Sequence, residues 1–103
     1  MITIQTSCPR FSLGQIVATP GALEAIRASG QSLELFLGAH LEGYWGDELC
    51  DEDRALNDKA LIDGSRLLSA YSTLRGERLW IITEAVGDNG RRASTCILLP
   101  EEY

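Results

Sequence analysis

Apolar residues in the first half of the chain recur at helical spacing. The stripe comprises Leu33, Phe36, Leu37, Leu41 and Tyr44. Spacings of i, i+3, i+4, i+8 and i+11 place these side chains on one face of an α-helix. His40, at i+7, falls inside the same stripe, and Ser32 just before the stripe is the expected N-cap.

The segment before that stripe carries the start and stop signals of another helix. Thr19 stands at the N-cap position, Pro20 at the first helical position, and Gly30 where a helix should end. We therefore predict a helix that begins at Pro20 and ends before Gly30, with Leu23 and Ile26 facing inward.

A third helix is predicted to begin in the acidic stretch after "GYWG" and to reach Asp63. Asp47 or Asp51 would cap its start, and Gly64 would close its end. Its inward face is mixed, because two polar side chains share helical spacing with three apolar ones. These five residues are Leu49, Leu56, Ala60, Asp53 and Asn57.

The last forty residues change to patterns that are typical of strands. We predict strands over residues 66–74, 78–86 and 93–100, a short strand that runs into a turn over 14–20, and a further short strand over 2–6. "RG" (75–76) and "GDNG" (87–90) supply turn chemistry between the last three strands. The run 78–86 is apolar at nearly every residue, so we place it centrally in the sheet, with Trp80 in the core.

The elements follow the order β-α-α-α-β-β-β and predict an α+β fold. The expected architecture is a three- to four-stranded, mostly antiparallel sheet with about three helices packed on one face. The chain has 103 residues, of which 45% are hydrophobic and 23% are charged. That composition is typical of one globular domain, here spanning residues 1–103.

Negative charge is concentrated in one segment. The formal net charge is −6, and residues 42–63 contain eight acids and two bases, which alone sum to the same value. The chain lacks the cluster of basic residues with which proteins neutralise nucleic-acid phosphates. We therefore expect no direct binding of nucleic acid. A basic protein is the electrostatically favoured partner.

Features that bear on the cellular compartment favour the cytoplasm. The sequence has neither an apolar run long enough to span a bilayer nor the pattern of a secretory signal, so we expect no membrane association. The three cysteines, Cys8, Cys50 and Cys96, are odd in number and widely spaced, and no CxxC motif is present. We therefore expect reduced thiols.

His40 is the chain's one histidine, so general-base chemistry at neutral pH would depend on it. With Asp53 orienting its ring and Asn57 bonded to it, the cluster would define a small hydrolase or metal-assisted enzyme. The alternative is a core-edge histidine whose ring nitrogens are satisfied internally. No GxSxG or comparable motif marks a nucleophile, so we assign no catalytic residue and keep these three as the candidates.

The sequence offers no pattern for a metal or cofactor. One histidine beside Asp47, Glu48 and Asp51, without CxxC, matches neither a zinc site nor an EF-hand loop. The spacing of the N-terminal glycines matches no phosphate-binding loop. We therefore expect neither a metal nor a cofactor.

The stretch that follows His40 contains the candidate binding residues. Trp45, between two glycines, is either a packed anchor or an exposed interface residue. The acids after it form either a solvated helix face or an interaction surface. The candidates for binding are Trp45, Asp47, Glu48, Asp51 and Glu52.

Three stretches carry a resemblance to a known family. They are "FSLGQIVATPGALEAI" (11–26), "AHLEGYWGDELCDEDRALNDKALIDGSRLLSAY" (39–71) and "LWIITEA" with "STCILLPEEY" (79–85 and 94–103). They resemble small uncharacterised proteins, often labelled "plasmid-related", from plasmids and integrative elements of proteobacteria. The family pattern H-x-x-G-x-W-G-[DE] is matched by His40, Gly43, Trp45, Gly46 and Asp47. The chain departs from the family at "VGDNGRRA" (86–93), which replaces a shorter charged turn.

The resemblance implies accessory cargo of mobile DNA in the bacterial cytoplasm and names no reaction. We therefore predict a protein that acts by macromolecular binding, with an acidic face that inhibits a host defence or regulatory protein. The enzyme centred on His40 stays an alternative. A structural homo-oligomer, such as a homodimer formed through strand 66–74 or the C-terminal "LLPEEY", is another.

Overall fold

The computed structural model describes residues 10–103, so the strand predicted over 2–6 and Cys8 lie outside the described residues. Within that range, three helices and four strands are followed by a short 3₁₀ helix, Pro100–Glu102. In chain order they are β1 (Gln15–Ala18), α1 (Pro20–Ser29), α2 (Leu33–Leu41), α3 (Asp51–Asp63), β2 (Leu67–Ser72), β3 (Arg78–Thr83) and β4 (Ser94–Leu98). The predicted element order and the α+β class are confirmed.

The four strands form one mixed sheet in the order β1-β4-β3-β2. β1 runs parallel to β4, whereas β4 with β3 and β3 with β2 are antiparallel. β3 is an interior strand, as predicted for the apolar run 78–86. The two predicted turns are also present: Gly76 adopts a φ of 86°, and the Gly87 N–H donates to the Arg91 carbonyl at 2.9 Å.

α1 has the predicted ends but a different inward face. Thr19 Oγ1 accepts a hydrogen bond from the Ala22 N–H at 3.1 Å, and Gly30 closes the helix with a φ of 74°. Ala22, with Ala25 and Ile26, is buried, whereas Leu23 is 47% exposed. The inward prediction for Leu23 is therefore wrong, because the helix approaches the sheet through its small residues.

α2 buries most of its predicted stripe. The buried side chains are Phe36, Leu37, His40 and Leu41. The helix ends at Leu41, and Gly43 with a φ of 85° turns the chain. Tyr44, which was expected to continue the stripe, is 51% exposed for that reason.

α3 begins at Asp51, one residue earlier than an Asp51 cap would give and three residues later than an Asp47 cap would give. Cys50 occupies the N-cap, so neither Asp47 nor Asp51 caps the helix, and Asp51 is its first residue. Gly64 closes the helix with a φ of 82°, as predicted. Leu56 is 61% exposed instead of inward, because α3 meets β2 through Asn57 and Ala60.

Two apolar clusters form the core. The larger joins α1 and α2 to the sheet and contains Leu13, Ala22, Ala25, Ile26, Phe36, Leu37, Leu41, Tyr71, Leu79, Ile81 and Ile97. The smaller contains Trp45, Leu49, Ala60, Leu67 and Ala70. Trp80 is partly buried against the smaller cluster, and its ring centroid lies 5.6 Å from that of Tyr103. Phe11 packs against both clusters.

Candidate functional site

His40 lies fully buried between α2 and the sheet. Its Nδ1 bonds with the Ser69 hydroxyl, and its Nε2 lies 2.9 Å from Thr83 Oγ1. Thr83 Oγ1 lies 2.7 Å from Thr95 Oγ1, and Thr95 donates to the Leu13 carbonyl at 2.7 Å. The chain of hydrogen bonds thus runs from β2 across β3 and β4.

The direction of this chain of hydrogen bonds determines that Nε2 of His40 carries a proton. Thr95 uses its one proton on the Leu13 carbonyl, so Thr95 must accept from Thr83, and Thr83 must accept from His40 Nε2–H. In the neutral imidazole, Nδ1 then accepts from the Ser69 hydroxyl. Burial, followed by the positive charge of Arg92, lowers the pKa of His40 from 6.5 to about 3. His40 therefore remains neutral at physiological pH.

The structure does not bring His40, Asp53 and Asn57 together as a cluster. The hydrogen bonds of the His40 ring go to Ser69 and Thr83. Asn57 instead bonds the backbone of Leu68: its amide donates to the Leu68 carbonyl, and its Oδ1 accepts from the Leu68 N–H at 3.0 Å. This corresponds to the alternative in which His40 is satisfied internally.

Asn57 has a structural role at the edge of the sheet. β2 is an edge strand, and unpaired N–H and C=O groups on such a strand invite pairing with other chains. Asn57 takes both groups of Leu68, and the Trp45 carbonyl accepts from the Ala70 N–H at 3.0 Å. Addition of a further strand along this part of β2 would have to displace these bonds. The homo-oligomer itself stays a prediction.

Trp45 is a packed anchor. It is 3% exposed, and its indole Nε1 donates to Asp58 Oδ1 at 3.1 Å. Its ring lies 5.8 Å from that of His40 and 6.4 Å from that of Phe11. Of the five candidate binding residues, Trp45 is thus the one whose side chain is withdrawn from the surface.

The loop between Trp45 and α3 is held closely against β2. A Cβ at Gly46 would lie 1.9 Å from the Ala70 carbonyl oxygen, and the φ of Gly46 is 94°. The Arg54 guanidinium donates to the carbonyl oxygens of Gly46 and Leu49. Backbone contacts therefore position the carboxylates that follow Gly46 in the sequence.

Asp47, Glu48, Asp51 and Glu52, which we name the acidic junction surface, are exposed. Asp47 Oδ1 accepts from the Tyr44 hydroxyl at 3.1 Å. Glu48 accepts from the Ser72 hydroxyl at 3.0 Å and lies 3.8 Å from Arg78 Nη2. Asp51 and Glu52 occupy the first turn of α3, where the helix dipole favours negative charge.

A cavity of about 230 Å³ lies beside these carboxylates. It is lined by Phe36, Tyr44, Gly46, Asp47, Glu48, Tyr71 and Ser72. The rings of Tyr44 and Tyr71 are stacked with centroids 6.2 Å apart. We name this the junction cavity, and its wall combines aromatic faces with two carboxylates.

The aromatic part of the junction cavity was not predicted as a site. Tyr44 was assigned to the buried stripe of α2, and Tyr71 to a strand, so no local pattern indicated that the two rings stack. Gly43 was the sequence feature that could have indicated it, because a helix commonly ends near a glycine and Tyr44 would then lie beyond the helix.

The described part of the chain contains neither a cluster of metal-ligating side chains nor a membrane-spanning helix. Among residues 10–103, no three or more His, Cys, Asp or Glu side chains converge as metal ligands would. None of the helices in that range combines the length and apolar character needed to cross a membrane. Cys50 and Cys96 are both free thiols.

The fold and site define an α+β protein with a buried neutral histidine and an acidic, aromatic-lined surface at a helix junction. Comparison with protein families, with curated proteins and with solved structures gives no match to this chain. The resemblance to the plasmid-related family therefore stays a prediction from the sequence.

Proposed function

We propose that the protein acts by binding a basic protein partner through the acidic junction surface. The observation that carries this proposal is the junction cavity, where Asp47 and Glu48 stand beside the stacked rings of Tyr44 and Tyr71. A lysine or arginine side chain can bond a carboxylate and lie over an aromatic face at the same time.

The carboxylates are available for such a partner. In the described part of the chain, the ion pairs within 4.0 Å are Arg27 with Glu24 and Arg78 with Glu48. The Glu48 pair is partly solvated, and a pair of that kind contributes at most about 1 kcal/mol. Asp47, Asp51 and Glu52 therefore carry charge that no cation among residues 10–103 neutralises at short range.

The rigidity of the loop favours recognition over chemistry. Trp45 is buried behind the loop, Gly46 lies against β2, and Arg54 binds the loop carbonyls. Carboxylates held in this way lose little conformational entropy when a partner binds. Since His40 is neutral, buried and fully bonded, the geometry favours binding over the enzyme centred on that residue.

We further propose a biological setting for this binding. The resemblance to plasmid-related proteins supports a role as an accessory protein of a mobile element in the bacterial cytoplasm. In that setting, the acidic junction surface would inhibit a host defence or regulatory protein that has a basic site.

A titration with a basic peptide tests the binding chemistry. Hexa-arginine would be added to the isotopically labelled protein, and backbone amide shifts would be followed by NMR. We expect the largest saturable shifts in the junction loop and β2, and their loss in Tyr44→Ala combined with Glu48→Gln. Shifts spread evenly over all acidic residues, or unchanged in that variant, would contradict a specific cationic site.

A further inference from the structure

Arg92 is a buried cation on the side of the molecule formed by the end of α3 and the β3–β4 turn. It is 7% exposed. Its Nη1 donates to the carbonyl oxygens of Ser65 at 2.7 Å and Glu84 at 3.0 Å, and its Nη2 donates to that of Ala60 at 3.1 Å. Arg92 thus joins the C-terminal end of α3 to the strands.

These partners are neutral and leave the charge of Arg92 without a carboxylate. Within residues 10–103, no Asp or Glu oxygen lies within 4.0 Å of its guanidinium. Asp63 acts on it at longer range, and desolvation lowers the pKa of Arg92. The carbonyl end of the α3 dipole offsets part of a unit charge. Buried charges are usually paired, so this one is unusual.

Arg92 also keeps hydrogen-bonding capacity. A guanidinium has five N–H donors, and the three bonds above leave one on Nε and one on Nη2. In the described part of the chain, every fully buried side-chain nitrogen or oxygen has a partner. Among residues 10–103, no acceptor bonds Nε of Arg92, so this nitrogen is not counted among the fully buried atoms. Nε and Nη2 together can receive the two oxygens of one carboxylate.

The opening that Arg92 lines is a cavity of about 550 Å³, a size within the range of small-molecule sites. Arg91 adds a second, exposed cation to its wall. The apolar wall includes Phe11, Leu61, Ile62 and Val86. Ile62 is 89% exposed and Val86 is 43% exposed, so the cavity presents apolar surface to solvent.

We propose that this cavity binds a small organic carboxylate with an apolar body. The carboxylate bonds the spare donors of Arg92, and the apolar body covers Ile62 and Val86. The site is separate from the acidic junction surface and does not depend on the function proposed for it.

Titration calorimetry with octanoate tests this site, with octan-1-ol as the uncharged probe of equal chain length. We expect saturable binding of octanoate and binding of octanol that is weaker by about tenfold or more, because a charge-assisted hydrogen bond is lost. Ile62→Glu should weaken octanoate binding by a similar factor, since it places a competing carboxylate in the wall. Leu74→Glu, at a residue that is 81% exposed outside the cavity, should leave it unchanged.

Three outcomes would overturn the proposal. They are the absence of saturable octanoate binding by the folded wild type, equal affinity for octanoate and octanol, and equal losses in the two glutamate variants. Thermal unfolding of both variants would show that they are folded, which is expected because both substitutions lie at exposed side chains.

Discussion

His40 Nε2 lies 2.9 Å from Thr83 Oγ1, and this contact ties the one histidine of the chain to the middle of its sheet. Because Thr83 passes its own proton to Thr95, it can only accept at His40. The contact therefore places a proton on Nε2, and the burial that lowers the pKa of His40 keeps the ring neutral. A buried polar network of this kind specifies the packing of α2 on the sheet, provided that each member is satisfied.

Stability should fall with pH below about 6.5, the ordinary pKa of histidine. The unfolded chain binds a proton there, whereas folded His40, with a pKa of about 3, stays neutral. The contribution is therefore complete above pH 6.5 and is lost towards pH 3, with a slope of up to about 1.4 kcal/mol per pH unit.

Urea unfolding of the wild type and of His40→Gln at several pH values checks this slope. The amide of glutamine does not titrate, so the stability difference between the two proteins should shrink as the pH falls from 7 to 4. A constant difference across that range would show that His40 does not couple folding to pH.

Gly46→Ala should destabilise the protein strongly. Its Cβ would lie 1.9 Å from the Ala70 carbonyl, and the positive φ of Gly46 adds strain, for a total of about 3 kcal/mol or more. Gly76→Ala is the matched control: it has a similar φ of 86° and no atom within 4 Å, so about 1–2 kcal/mol is expected. Equal losses in urea unfolding would mean that the loop is not held against β2.

Asn57→Ala should also lower the free energy of unfolding. It leaves the N–H and C=O of Leu68 without their partners, which costs about 2–4 kcal/mol for the two groups. Leu56→Ala, at the neighbouring and 61% exposed position, should stay within about 0.5 kcal/mol of the wild type. If the two variants were equally stable, Asn57 would not protect the edge of β2.

The ends of α1 could be predicted from sequence because their determinants are local. Thr19, Pro20 and Gly30 act within one turn of the helix they bound. Which side faces inward is not local, since the small Ala22 is buried where the larger Leu23 was expected. The close approach of α1 to the sheet decides that choice.

The site was predicted only in part for the same reason. The helical stripe placed His40 at the core, but its partners Ser69 and Thr83 lie 29 and 43 residues away. Helical spacing suggested Asp53 and Asn57 instead, which would require α3 to face His40. α3 meets the edge of β2, so Asn57 bonds backbone there. Exposure of the acids after Gly46 follows from their charge and could be anticipated.

The central claim, that the acidic junction surface binds a basic partner, is tested most directly by affinity purification from a bacterial lysate with three tagged proteins. One is the wild type. The second carries Asp47→Asn, Glu48→Gln, Asp51→Asn and Glu52→Gln. The third neutralises four exposed acids elsewhere, through Glu34→Gln, Glu77→Gln, Glu84→Gln and Asp88→Asn.

Both variants change the net charge from −6 to −2, so they differ only in where the charge is lost. We expect the wild type and the third protein to retain a basic protein that the second protein loses. Salt should release this basic protein. Equal retention by all three proteins, or equal loss from both variants, would contradict a specific role for the acidic junction surface.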